Sequence, residues 1–138
     1  VKSAGAWGGS NPFPAQDPPP GDGPFAVITR ATLRARRTRS FHRAVPAIDL
    51  DLARDPGLLA SVGFGESPLG HQGTLSLWTD EQAMKRFAYG TAAHRDAIRR
   101  RSAERWYAEE LFARFRPTRS EGTLDGVDPL AGRLVAAP

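Results

Sequence analysis

Apolar residues in this chain recur at two different spacings, and each switch between them marks an element boundary. From Phe25 to Leu33 they alternate, with Phe25, Val27, Ala31 and Leu33 on one side and Ile28, Arg30 and Thr32 on the other. That spacing predicts a strand with one apolar face and one partly polar face. From Ser40 to about Arg54 the spacing changes to three and four, so Phe41, Val45, Ile48 and Leu52 form one helical stripe, interrupted by Pro46. Asp55-Pro56-Gly57 stops that helix. Leu58 to Phe64 and Thr74 to Trp78 read as two more strands around a loop at 65–70. Thr79, with Gln82 three residues on, reads as a capping box that opens a second helix. Gly90 bends or interrupts this helix, and Trp106 and Tyr107 close it. Leu111 to Thr118 supplies the last strand, with Leu111, Ala113 and Phe115 alternating against Phe112, Arg114 and Arg116.

The predicted order is β-α-β-β-α-β, a ferredoxin-like α+β unit of the dimeric α+β barrel type with helices on one face of its sheet. The other face must meet a second sheet, from a partner chain or partner domain, or stay open for binding. Residues 24–122 carry the periodicity and form the expected domain. Residues 1–23 are rich in glycine and proline and read as a linker or extended arm, and 123–138 as a short tail. No internal repeat is visible.

Composition removes several classes of function. The chain has 138 residues, 40% hydrophobic and 25% charged, which suits one globular domain. It has no cysteine, so disulfides, thiolate-bound zinc, iron–sulfur clusters and a cysteine nucleophile are excluded. No apolar run is long enough to span a membrane, and no signal peptide is expected at the start. The first residue is Val1 rather than methionine, which suggests a processed product or part of a longer chain. Net charge is +4, and of the 19 basic residues only Lys2 and Lys85 are lysine. The arginines cluster at Arg34, Arg36, Arg37, Arg39 and Arg43 and again at Arg95, Arg99, Arg100, Arg101 and Arg105. Either cluster suits an acidic electron-transfer partner or nucleic acid, although coding bias alone accounts for the arginine excess. Neither cluster interleaves with aromatics as base stacking requires, so nucleic acid is not the expected partner.

The candidate chemistry centres on one helical stripe. Met84, Phe87, Thr91, His94, Ile98 and Arg101 share a side of the second helix. An imidazole in an apolar stripe is either a hydrogen-bonded core residue or a ligand for a metal or haem iron. Met84 reads as core filling, His42 sits in an arginine-rich helix start, and His71 lies in a glycine-bounded loop where an exposed role is expected. Of Glu109 and Glu110 one should face solvent, and Glu110 is the expected acceptor for Arg30 or Arg116. Tyr89, Trp106 and Tyr107 are either pocket walls or core. No Ser-His-Asp or paired-carboxylate arrangement follows from the spacing.

Several segments resemble the spheroidene monooxygenase family. They are Phe25-Ala-Val-Ile-Thr-Arg-Ala-Thr-Leu-Arg34, Pro56-Gly-Leu-Leu-Ala-Ser-Val-Gly-Phe-Gly-Glu66, Ser76-Leu-Trp78, Phe87-Ala-Tyr89, His94-Arg-Asp-Ala-Ile98 and Arg105-Trp-Tyr-Ala-Glu-Glu-Leu-Phe-Ala-Arg-Phe115. The resemblance covers roughly residues 24–130, and its Trp106-to-Phe115 block is the most specific. Members of that family carry a pair of such units, and this chain resembles the C-terminal one. The opening Ala6-Trp7-Gly8-Gly9-Ser10-Asn11-Pro12-Phe13 is similar to the end of the first unit and its connector.

The resemblance implies a haem-dependent monooxygenase that oxygenates a carotenoid or another hydrophobic, conjugated substrate, using O2 and a ferredoxin-like electron donor. It implies that His94 ligates haem iron, with the porphyrin between its helix and the sheet, and that Arg101 pairs with a propionate. Phe87, Ile98 and Arg30 complete the expected cofactor-binding set. Ile28, Thr32, Ser61, Ser76, Trp78 or Phe115 would line the distal side, depending on which sheet face meets the haem. A homodimer, or pairing with a missing N-terminal half, is expected, as is a cytoplasmic protein that associates peripherally with membrane to reach its substrate. The alternative reading is a cofactor-free domain of the same fold, acting as an oxygenase or an assembly module. An RNA-binding module of this topology ranks last, because its central strands lack the aromatic motif.

Overall fold

The computed structural model of the chain describes residues 2–13, 22–65, 70–90 and 92–134, the side chains at 93, 94, 101 and 102 apart. Its elements are β1 (Lys2–Gly5), β2 (Phe25–Leu33), a 3-10 turn (Ala35–Arg37), α1 (Thr38–Arg54), β3 (Leu58–Gly65), β4 (His71–Trp78), α2 (Glu81–Gly90), α3 (Ala92–Glu104) and β5 (Tyr107–Phe115). The strands form one sheet in the order β1-β5-β2-β4-β3, every pair antiparallel. The fold is α+β and ferredoxin-like, with helices packing on one face of a five-stranded sheet.

Where the boundaries differ from the sequence pattern, backbone partners explain the difference. Asp80, not Thr79, caps α2: its carboxylate accepts the Ala83 N–H at 2.7 Å, which also holds its pKa below the usual range. The Thr79 amide is already committed to the Gly57 carbonyl at 2.9 Å. The second helical segment is described as α2 to Gly90 and α3 from Ala92, with residue 91 between them outside the described residues. The last strand begins at Tyr107 rather than Leu111, since Arg105 leaves α3 in a left-handed conformation (φ 49°) and Tyr107 then pairs with Leu33. β4 likewise starts early, at His71, because β2 continues far enough to pair Thr32 with it. Within the predicted arm, Lys2–Gly5 adds a fifth strand to the edge of β5, Ser3 opposite Ala113 and Gly5 opposite Leu111. Its small and polar residues carry no alternating apolar signal, so only the neighbouring edge reveals it.

Strand pairing assigns the two faces. Phe25 pairs with Trp78 and Val27 with Ser76, and these point toward the helices. There Phe25, Val27 and Trp78 pack with Ala83, Met84 and Phe87 of α2, flanked by Ile48, Leu52 and Leu58. Full burial of each large side chain contributes about 1.5–3 kcal/mol. This core fills only one end of the helix-bearing face.

Glu104 fixes the other end. At the end of α3 it accepts hydrogen bonds from Ser40 Oγ (2.5 Å), Trp106 Nε1 (2.9 Å) and Arg100 Nε (3.1 Å). Arg100 in turn donates to Ser40 Oγ at 2.9 Å and lies over the Trp106 ring. One carboxylate thus ties the start of α1, the end of α3 and the entry to β5. The Ser40 hydroxyl, the Trp106 indole and Arg100 hold its pKa down at about 2. A depressed carboxylate pKa contributes stability above the unfolded value, and that contribution is lost as pH falls from about 4.5 toward about 2. Thermal midpoints measured across this window should therefore fall more steeply for the wild type than for Glu104→Gln. Parallel curves would show that the clamp adds no acid-sensitive stability.

Candidate active site

A helix of 17 residues with an apolar stripe would normally bury part of it, yet no residue of α1 is buried. The reason lies in the floor beneath. Past the core, the positions facing α1 are Thr29 and Ala31 on β2, Thr74 and Gln72 on β4, and Gly63 and Gly65 on β3. Apart from Gln72 these are small side chains. The result is a cleft of about 500 Å³ between α1 and the sheet, roofed by Phe41, Val45, Ile48 and Asp49 and closed at the β5 side by Tyr107, Glu110 and Phe112. That volume lies within the ~300–1,000 Å³ of ordinary ligand sites. Phe41 is steadied edge-on by Trp106 at 5.9 Å and Tyr107 at 6.0 Å. Asp49 has its pKa raised by desolvation, which favours the protonated carboxyl in the cleft wall. The cleft is an apolar slot with a few polar groups along it, suited to a flat or elongated hydrophobic ligand.

The opposite face carries a second cluster. Arg30 is buried there and donates from Nη1 to Glu109 Oε1 at 2.9 Å. Its Nη2 lies 3.0 Å from His71 Nδ1, which Thr32 Oγ1 also meets at 3.0 Å. Arginine carries only donors, so Nδ1 accepts and the ring proton sits on Nε2. Glu109 also receives the amides of Gly8 (2.9 Å) and Gly9 (2.7 Å), two successive residues at φ 65° and 82° that aim both N–H groups at one carboxylate. The Gly9 and Gly8 amides, then Arg30, lower the Glu109 pKa. Trp7 lies under Arg30, 4.9 Å from its guanidinium carbon, and stacks on Phe64 at 6.5 Å, while Phe13 meets Phe115 edge-on at 5.0 Å. Residues 7–13 therefore strap one part of this face, and residues 120–129 run beside Ala60, Val62, Leu75 and Leu77 on another.

The sequence-predicted site residues are spread over this frame. Phe87 is in the core, 5.3 Å from Trp78. Ile98 is on α3, beside Tyr89, Arg95 and Arg99 around a separate hollow. Arg30 borders the cleft but spends its guanidinium on the opposite face. His94 and Arg101 belong to α3, and their side chains lie outside the described residues. α3 packs chiefly on α1 and α2. His71 is a strand residue tied to Arg30 rather than an exposed loop residue, and Glu109, not Glu110, is the acceptor for Arg30. Trp106 is fully buried and Tyr89 is exposed, so of the aromatic candidates Tyr107 alone lines the cleft. Sequence reading found the apolar roof at Phe41, Val45 and Ile48 but missed that it stays open. The signal was available in the glycines and threonines of the facing strands.

The cleft was also tested as a haem site. Among the residues described around it none is an imidazole. His71 holds its proton on the nitrogen that would have to bind iron. Among the described residues there is no group of three metal-ligating side chains. The described cleft residues do not by themselves fit a haem iron.

No family model matches the chain. It is 41% identical over 138 residues to spheroidene monooxygenase of Rhodobacter capsulatus, covering 98% of this chain and 57% of the relative. The spheroidene monooxygenases of Cereibacter sphaeroides and Rubrivivax gelatinosus are 36% and 37% identical, with 42% and 46% of their lengths covered. The chain thus spans about half the length of the curated relatives it matches. Among solved structures, a cofactor-independent oxygenase of Streptomyces nogalater aligns with a TM-score of 0.56 at 14% identity, covering 71% of this chain and 96% of that one. A candidate antibiotic biosynthesis monooxygenase of Caulobacter crescentus gives 0.58 at 16% identity, with coverages of 71% and 92%. At such identities these likenesses speak for the fold alone.

The Gly8–Gly9 clip makes a direct prediction. In Glu109→Ala the hydrogen-exchange protection of the Gly8 and Gly9 amides should drop to that of an open chain, while amides in β2 and β4 keep theirs. Unchanged protection at Gly8 and Gly9 would mean that the strap is held by Trp7 and Phe13 and not by the carboxylate.

Proposed function

Because the chain is a family-level match to the spheroidene monooxygenases over about half of their length, we propose that it is one ferredoxin-like unit of a monooxygenase acting on a carotenoid or similar hydrophobic, conjugated substrate. The observation that carries this reading is the cleft under α1, where an apolar roof stands unpaired above a floor of small residues. A conjugated chain lying there would cover Phe41, Val45, Ile48 and Phe112 and exclude water from them, gaining roughly 25 cal/mol for each Å² of apolar surface covered. Gln72, Thr74 and Tyr107 supply hydrogen-bonding groups beside the bound chain, and Asp49, its pKa raised by desolvation, stands in the wall.

The proposal extends to O2 as oxidant and a ferredoxin-like protein as electron donor, for which the arginines of α3 offer a basic docking surface. Haem enters it through His94 on α3, the helix that packs on the cleft's roof, with Arg101 two turns further on. A second unit, from another copy or from the rest of a longer chain, is proposed to cover the face opposite the helices, where Val62 and Phe64 remain exposed. Access to a lipophilic substrate is proposed to be by peripheral association with a membrane; no helix among the described residues is long and apolar enough to cross one.

A cofactor-free reaction is the second reading, supported by the shared fold of the cofactor-independent oxygenase of Streptomyces nogalater. The two separate in an absorption spectrum. With added haem the wild type should develop a Soret band that His94→Ala lacks, whereas wild type without the band supports the cofactor-free reading. A band that survives in the variant moves the ligand to His42 or His71. Independently, a linear polyene should bind the wild type and bind Val45→Asp at least about tenfold more weakly, since an unpaired carboxylate against an apolar ligand costs more than ~1.4 kcal/mol. Equal binding would place the substrate elsewhere.

A further inference from the structure

Two glycines on paired strands have different reasons for lacking a side chain. Gly73 on β4 faces the strapped side, directly opposite Phe64, and a Cβ there would collide with the Phe64 ring and come within 2.8 Å of the Thr29 carbonyl oxygen. Its glycine is explained by the aromatic ring lying across it. Gly63 on β3 faces the cleft, opposite Thr74. Its φ is not in the left-handed region, and a Cβ there would meet nothing within 4 Å. Neither backbone conformation nor crowding requires glycine at this position. Glycine in a strand weakens it, costing roughly 0.5–1 kcal/mol relative to alanine, and otherwise marks a place where something approaches the backbone closely.

The position in the sheet indicates what that is. β3 is the last strand of the order β1-β5-β2-β4-β3, so the cleft ends over it, while at the other end Tyr107 and Phe112 stand as walls. From β5 to β3 the floor is three strand spacings wide, about 14 Å at ~4.8 Å each. A linear polyene longer than this leaves the slot, and among the described residues that line it none closes the β3 edge. The Phe41–Tyr107 end is occupied by the edge-on pair of rings.

We infer that Gly63 is a specificity-determining exit notch: the cleft takes one end of a long, linear conjugated ligand, and the rest passes out across the β3 edge above Gly63. This rests on the functional reading above and deepens it by naming the shape of substrate. A bulky ring or a compact ligand would not need the notch. A long chain would.

The test compares wild type, Gly63→Ala, Gly63→Leu and Gly73→Ala in the full chain, titrated with lycopene as the long acyclic probe and with retinol as a short conjugated one. Thermal midpoints report folding. Gly63→Ala and Gly63→Leu should match or exceed the wild-type midpoint, because the added atoms enter open space and remove the conformational cost of glycine, while Gly73→Ala should lower it. Gly63→Leu should weaken lycopene binding about tenfold or more and leave retinol within about threefold, with Gly63→Ala between. If both ligands bind Gly63→Leu as they bind wild type, the notch has no role. If both are lost from folded Gly63→Leu, the side chain merely fills the slot, and the exit path is wrong. If the wild type binds neither probe, the polyene-binding reading of the cleft fails and takes the notch with it.

Discussion

The distance at which α1 stands from the sheet controls most of what this molecule can do. Two features set it. The Glu104 carboxylate pins the first turns of α1 to α3 and to Trp106. At the far end of α1, Ile48 and Leu52 lie against the core that Phe25 and Trp78 share with α2. A rigid helix held at both ends cannot sag onto the floor between them. With glycine, alanine and threonine on that floor, the space stays open, because collapse would break the clamp or the core packing.

The sheet thus serves three purposes on its two faces. One end of the helix side is packed core and the other is a cleft. The reverse side holds a buried arginine, neutralised by Glu109 and shielded by a strap whose two glycine amides share the same carboxylate. Burying the Arg30 charge is tolerable because it finds a carboxylate, an imidazole nitrogen and an indole face together. These groups come from four separate segments of the chain, so the cluster exists only once the sheet and the strap are in place.

The legible parts of the sequence were those in which one residue's neighbours in the chain decide its environment. Alternation in Phe25 to Leu33 and Leu111 to Phe115 separated the two sides of each strand, and the three-four spacing of Phe41, Val45, Ile48 and Leu52 located α1. Asp55-Pro56-Gly57 marked a real boundary. The misses share a cause. Lys2–Gly5 is a strand only because β5 offers an edge, Tyr107 is a strand residue only because Leu33 lies opposite, and Glu109 was passed over for Glu110 because register alone decides which faces Arg30.

The candidate site was harder to read for the same reason. Its apolar roof is one continuous helical stripe, and sequence showed it plainly. The cavity below it is a property of four strands at once, with Gly63, Thr74, Ala31 and Phe112 far apart in the chain and adjacent only across the ladder. By itself the sequence determined the four main strands, the helices between them, their order and the resemblance to spheroidene monooxygenases, because periodicity and identity are local quantities. Only the tertiary structure decided that α1 is held above its floor, since an empty volume is defined by every surface that borders it.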